Sequence, residues 1–145
     1  MKVLIINGPN LNFLGIRETS VYGSMTLSEI NSIIDRKCNA FGIEAQFFQS
    51  NHEGEIVDKI QESYNKIDYL IINPGAFTHY SIAIRDAILA VGVKTIEVHL
   101  SNVYAREEFR KTSVISDISI GKITGFNYFG YLMALDYIVN YENLN

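Results

Sequence analysis

The chain has 145 residues, 48% hydrophobic and 19% charged, with a formal net charge of −4; this predicts one globular domain over 1–145 and gives no electrostatic reason to bind nucleic acid or an anionic membrane. A single cysteine, Cys38, excludes an internal disulfide and fits a reducing compartment. No run approaches the ~18 apolar residues of a membrane span, and the apolar stretch after Lys2 is shorter than the roughly 7–15 residues of a secretory signal core, so a cytoplasmic protein is expected.

Residues 2–7 read as a short buried strand, because the apolar run ends abruptly at Asn7-Gly8-Pro9-Asn10. The next connection, through Tyr22 and Gly23, is long and rich in Asn and Gly. It is either a lid or binding loop, or a surface Ω-loop without chemistry. Thr26-Leu27-Ser28-Glu29 is a capping box, and the helix it opens repeats apolar residues at Leu27, Ile30, Ile33/Ile34, Cys38 and Phe41 before Gly42 ends it. Cys38 lies on that apolar face and reads as a small core residue. A second strand spans 43–49. A second helix carries Ile56, Val57, Ile60 and Tyr64 on one face. The third strand, 69–73, is apolar on both faces and breaks at Pro74-Gly75. A third helix runs from about 81 to 90, with Gly92 beyond it. The fourth strand is 94–99, and the polar segment 101–111 contains a short helix. A brief fifth strand at 121–124 precedes a helix over about 126–141 that is apolar nearly all round and therefore well buried, in part against another subunit. This alternation predicts an α/β, flavodoxin-like, doubly wound five-stranded parallel sheet, order 2-1-3-4-5, with helices on both faces.

Ligands of such sheets bind beyond the carboxyl ends of the strands. Asn7, Asn10, Asn12, Arg17 and Tyr22 come after the first strand; Asn51, His52 and Glu53 after the second; Asn73 and His79 after the third; His99, Ser101 and Asn102 after the fourth. All three histidines gather at this edge, whereas Lys2, Lys94 and Lys122 fall at the opposite one. No glycine-rich dinucleotide fingerprint, phosphate loop, Gly-x-Ser-x-Gly elbow or zinc-protease helix motif is present, and no metal is expected at His79 and His99, which lack a nearby acid pair. A pocket of Asn, His, Arg and Tyr suits proton transfer beside a carbonyl with stabilisation of an enolate. Tyrosine, with an ordinary pKa of ~10, is a poor base until a positive charge favours its phenolate, and Arg17 on the same loop can supply that charge.

These residues resemble a known family, the type II 3-dehydroquinate dehydratases. The resemblance runs nearly end to end. It rests on Asn7-Gly-Pro-Asn-Leu-Asn12, Arg17-Glu-x-x-x-Tyr22-Gly, Gln49-Ser-Asn-His-Glu-Gly54, Asn73-Pro-Gly-Ala-Phe-Thr-His79, Arg85-Asp86, Glu97-Val-His-Leu-Ser-Asn102 and Arg106-Glu-Glu-Phe-Arg110. It implies a lyase that removes water in trans from 3-dehydroquinate to give 3-dehydroshikimate through an enolate, in the shikimate route or in quinate catabolism. It further implies no cofactor and a homododecamer built as a tetramer of trimers. By position, Tyr22 is similar to the family's base and Arg17 to the lid residue that activates it. Asn10 resembles the group holding a water on the enolate oxygen, and His99 the acid for the departing hydroxyl, supported by Glu97 and Asn73. Asn73, His79 and Arg110 resemble ligands of substrate hydroxyls, the amides of Leu100 and Ser101 a carboxylate site opening a helix, and Asp86 a contact from a neighbouring subunit. Thr19 stands where many relatives have proline, and Tyr104 where histidine is frequent. The rival reading is a flavodoxin-like module that holds a flavin or another small ligand without turnover. It would require a hydroxyl-rich phosphate loop after the first strand, and Gly8-Pro-Asn-Leu-Asn12 is not one.

Overall fold

A computed structural model describes residues 1–144. Strands β1 (Lys2–Asn7), β2 (Glu44–Gln49), β3 (Tyr69–Asn73), β4 (Lys94–His99) and β5 (Gly121–Thr124) form one parallel sheet in the order β2-β1-β3-β4-β5. Every residue of β3 and all but the first of β1 and β4 are buried, as strands covered on both faces must be. Register fixes the functional edge: Asn7 lies opposite both Gln49 and Asn73, so these three strands stop at one level. The order reverses at β1 and β3, and the crevice opens there.

Alternation along the strands sorts the core into two layers. On one face Val3, Ile5, Ile71 and Val98 meet Ile30, Ile34 and Cys38 of helix α2 (Leu27–Ala40) and Tyr131, Leu135 and Ile138 of helix α5 (Phe129–Leu144). On the other, Leu4, Ile6, Leu70 and Ile72 meet Ile56 and Ile60 of helix α3 (Glu53–Glu62) and Ile84 and Ile88 of helix α4 (Ile82–Val91). The capping box forms as expected, with Glu29 N–H donating to Thr26 Oγ1 at 3.2 Å and Thr26 N–H donating to Glu29 at 2.8 Å. Gly42 takes the left-handed conformation after α2. Burial pushes the Cys38 thiol up to about 11, with Asp35 adding to it, which fits a core residue.

Periodicity overshoots at two helix ends. Phe41 lies past the end of α2 and Tyr64 past the end of α3, and both are exposed. The last helix starts later than the apolar run suggests, and it leaves Phe129, Met133, Tyr137 and Tyr141 uncovered along one side. The short helix expected after β4 takes the form of two 3-10 turns, Val103–Ala105 and Glu108–Lys111. Lys122 also departs from expectation. It pairs in register with Glu97, inside the sheet, and its ammonium lies 5.1 Å from the ring centre of Tyr104, which gives that tyrosine a contact.

The long connection after β1 is not wholly irregular. It holds a 3-10 turn, Leu11–Phe13, and a one-turn helix α1 (Thr19–Tyr22) entered through Glu18 in the left-handed region. Thr19 is the first residue of α1, a position where proline is equally at home. Beneath it, the turns after β1 and β3 lock together. Gly8 N–H donates to Asn73 O at 2.8 Å. A Cβ on Gly8 would come within 2.3 Å of the Pro74 carbonyl oxygen, and one on Gly75, whose φ is +59°, would press on Pro9 at 3.1 and 3.3 Å. Each glycine thus receives the other turn's proline.

Candidate active site

A cleft of about 220 Å³ opens over β1, β3 and β4. Asn10 reaches it from the turn after β1, where Asn51 Oδ1 accepts from its backbone N–H at 2.9 Å and Gln49 Nε2 donates to Asn51 at 3.2 Å. The Gln49-Ser-Asn segment therefore supports the neighbouring loop. Asn10 itself is left-handed, at φ 68°, a conformation Asn tolerates.

Tyr22 is brought in by α1. Its hydroxyl accepts from Arg106 Nη1 at 2.8 Å, and Arg106 also donates to Ser101 Oγ at 3.2 Å. Arg17 lies over the same ring, 5.2 Å from its centre, and pairs with Glu18. One phenol is thus bracketed by two guanidinium groups. Sequence reasoning identified Arg17 but not Arg106. The available signal was the first arginine in Arg106-Glu-Glu-Phe-Arg110, whose direction depends on the 3-10 turns.

His99 closes the inner wall. Its Nε2 donates to Glu97 Oε1 at 2.6 Å, which leaves Nδ1 for a ligand. Glu97 is wholly buried and also accepts from Thr78 Oγ1 at 2.5 Å, from Ser113 Oγ at 3.0 Å and from Ser116 Oγ. Burial alone would push this carboxyl up. The His99 hydrogen bond and charge, with the Ser116 and Thr78 hydroxyls, outweigh burial and hold it down at about 2. Because the folded value lies below the ordinary 4.5, the stability this carboxylate contributes is complete above that pH and is lost as pH falls from there through about 2. The melting temperature should therefore drop more steeply over that window in the wild-type protein than in Glu97→Gln. Parallel curves from pH 6 to pH 2 would remove Glu97 as the cause.

Across the cleft, His79 Nδ1 donates to Thr112 O at 2.7 Å. A carbonyl only accepts, so Nδ1 carries the proton and Nε2 is an acceptor. Burial, with the charges of Arg110 and Lys122, lowers its pKa despite the Thr112 bond, and the ring is neutral near pH 7. Asn73 donates to Tyr131 OH at 3.2 Å, and Tyr131 donates to Asn7 Oδ1 at 2.5 Å. Burial raises the Tyr131 phenol, which keeps it a neutral hydroxyl. Among the described residues, the Asn73 side chain pairs with Tyr131 and Gly75 N–H and not with His99, which is held by Glu97.

Asn10, Arg17, Tyr22, Asn73, His79, His99, Leu100, Ser101 and Arg110 all line the cleft, with Arg106 added. Asp86 does not: it is exposed on α4. His52 caps α3 at the same sheet edge, outside the cleft. Three arginines, Arg17, Arg106 and Arg110, line the cleft, and no carboxylate among the described residues does, although the chain is net negative.

Fold and cleft together define a doubly wound α/β protein with tyrosine, histidine and arginine side chains gathered at its strand switch point. The chain matches the family model "Dehydroquinase class II" over residues 1–139. It is 58% identical over 135 residues to a protein of Caldicellulosiruptor bescii named 3-dehydroquinate dehydratase, covering 92% of this chain and 93% of that one. It is 50% identical over 140 residues to one of the same name from Clostridium acetobutylicum, covering 97% of each. The crystal structure of a type II dehydroquinase from Butyrivibrio crossotus superposes with a TM-score of 0.93 at 53% identity, over 97% of both chains. The chain belongs to the class II dehydroquinase family.

Proposed function

We propose that this chain is a hydro-lyase that converts 3-dehydroquinate to 3-dehydroshikimate by trans elimination of water, with residues 1–145 acting as one catalytic unit. The observation that carries the reading is a phenol oxygen held 2.8 Å from the Arg106 guanidinium in the same cleft as a histidine locked onto a buried carboxylate. The Tyr22 oxygen, which accepts from Arg106 and whose ring Arg17 faces, takes the proton beside the ketone. The electron pair moves onto the carbonyl oxygen, and Asn10 holds a water against the resulting enolate. His99 then gives its Nδ1 proton to the departing hydroxyl, water leaves, and the enolate collapses to the enone. Asn73, His79 and Arg110 bind substrate hydroxyls, and the amides of Leu100 and Ser101 bind its carboxylate. A cleft lined with arginine supports an anionic substrate. This chemistry uses side chains alone, and the same constellation speaks against a flavin-holding module without turnover.

The assay is growth of enone absorbance on adding 3-dehydroquinate. No lysine lines the cleft, so borohydride added with substrate should leave activity intact, whereas a Schiff-base route would be trapped by it. A substrate-sized adduct on any lysine, with loss of activity, would overturn the enolate mechanism.

We also propose a cytoplasmic homododecamer, a tetramer of trimers, in which Asp86 completes a neighbouring subunit's site. The exposed Phe129, Met133 and Tyr137 of α5 support burial against other copies, and the exposure of Asp86 outside its own cleft supports a contact in trans. Mixing inactive Asp86→Ala with inactive Tyr22→Phe should restore part of the activity, since a hybrid trimer holds a site with neither lesion. No recovery after demonstrated subunit exchange would confine Asp86 to its own chain.

A further inference from the structure

Segment 112–117 touches His79 directly and reaches His99 through Glu97, without lining the cleft. Thr112 O receives the Nδ1 proton of His79 at 2.7 Å. Ser113 and Ser116 donate to Glu97, which in turn holds His99. The Ser113 hydroxyl also accepts from the N–H groups of Ile115 and Ser116, both at 3.1 Å, so the hydroxyl and the local backbone share one geometry. The segment has no strand or α-helical ladder of its own. Val114 N–H donates to Thr78 O at 2.8 Å, and Ile115 is buried in the core layer of Ile84 and Ile88.

The segment is fixed from beneath by Arg85 on α4. Its Nη1 donates to Val114 O at 2.7 Å, and both terminal nitrogens engage Asp117, Nη2 at 2.9 Å. The guanidinium fork therefore spans a backbone carbonyl and a carboxylate three residues apart. That is a rigid, three-point attachment that an ammonium could not reproduce. Arg85 does not line the cleft.

We infer that Arg85 and Asp117 are positioning residues of this site: their clamp holds segment 112–117 so that Thr112 sets the tautomer of His79 while Ser113 and Ser116 set Glu97 and, through it, the ring of His99. One clamp thus orients the hydroxyl-binding histidine and the proton-donating histidine together. The inference deepens the dehydration mechanism and rests on it for its kinetic consequence, but its structural content is independent of the substrate.

The test combines two readouts on the full chain. In protein labelled with ¹⁵N-histidine, the ring N–H of His79 and that of His99 are followed by NMR; turnover of 3-dehydroquinate is measured in parallel. Arg85→Met should shift or broaden both ring signals and lower kcat at least tenfold, although neither Arg85 nor Asp117 meets the substrate. Arg85→Lys should recover part of the loss. Asp117→Asn, which keeps the bond to Val114 O, should move both signals in the same direction by less, and it serves where Arg85→Met does not fold. Unchanged ring signals, whether with full turnover or with lowered turnover and a lowered melting temperature, would overturn the inference. If the wild-type protein does not turn over 3-dehydroquinate, the functional reading fails while the ring signals still decide the clamp.

Discussion

Replacing Tyr22 by phenylalanine is expected to lower turnover at least ~10²-fold, the usual minimum for removing a general base, with little change in melting temperature. The ring and its stacking between Arg17 and Arg106 remain; only the oxygen that accepts from Arg106 is lost. The two arginines should then separate. Arg106 places an N–H on the oxygen itself, whereas Arg17 faces the ring and shares its charge with Glu18. Arg106→Ala should therefore cost more turnover near neutral pH than Arg17→Ala. Arg17→Lys should fall between wild type and Arg17→Ala. The measurement is kcat against pH for the four variants, with thermal melts as control. Near-normal turnover in Tyr22→Phe would transfer the base to His79 or His99.

His99→Ala should fail at a different step. The loss of an acid that protonates a leaving hydroxyl is expected to lower dehydration about 10²- to 10³-fold. The fold should survive, since Thr78, Ser113 and Ser116 still donate to the buried Glu97. In the proposed mechanism proton removal belongs to Tyr22, so His99→Ala should continue to exchange the hydrogen beside the ketone for deuterium in D₂O while making little enone. Tyr22→Phe should lose exchange and dehydration together. Mass spectrometry of recovered substrate distinguishes them. If His99→Ala abolishes exchange as completely as Tyr22→Phe does, the division of labour between the two residues is wrong.

The strands were legible because each apolar run ends at a residue that cannot continue it: Asn7-Gly8-Pro9 after β1 and Pro74-Gly75 after β3. The start of α2 was legible because Thr26 and Glu29 satisfy each other locally. The one-turn helix at Tyr22 was not, because four residues carry no apolar period and its entry depends on Glu18 adopting a left-handed conformation. Phe41 and Tyr64 were misplaced for the converse reason, a period extrapolated beyond the last helical turn. Most of the cleft could be found from the polar residues just past the carboxyl end of each strand. Arg106 could not, since 3-10 turns set its direction. The hydroxyls around Glu97 had a signal in the sequence: an acid between Ile96 and Val98 of a buried strand demands buried donors. Thr78, Ser113 and Ser116 are those donors, and only tertiary contact brings them there.

The reciprocal seating of Gly8 against Pro74 and of Gly75 against Pro9 makes the bottom of the cleft a keystone. Asn10 and Asn73 stand on the two halves of that joint, and neither half can withdraw without dragging the other. Widening the cavity for a bulkier guest must come from the roof, the stretch around Arg17 and Tyr22, which rests on the body through side chains. Ligands of different girth should therefore leave the amides of Asn7, Gly8, Asn10, Asn73 and Gly75 equally slow to exchange with solvent, and register their size only in those of residues 15–23.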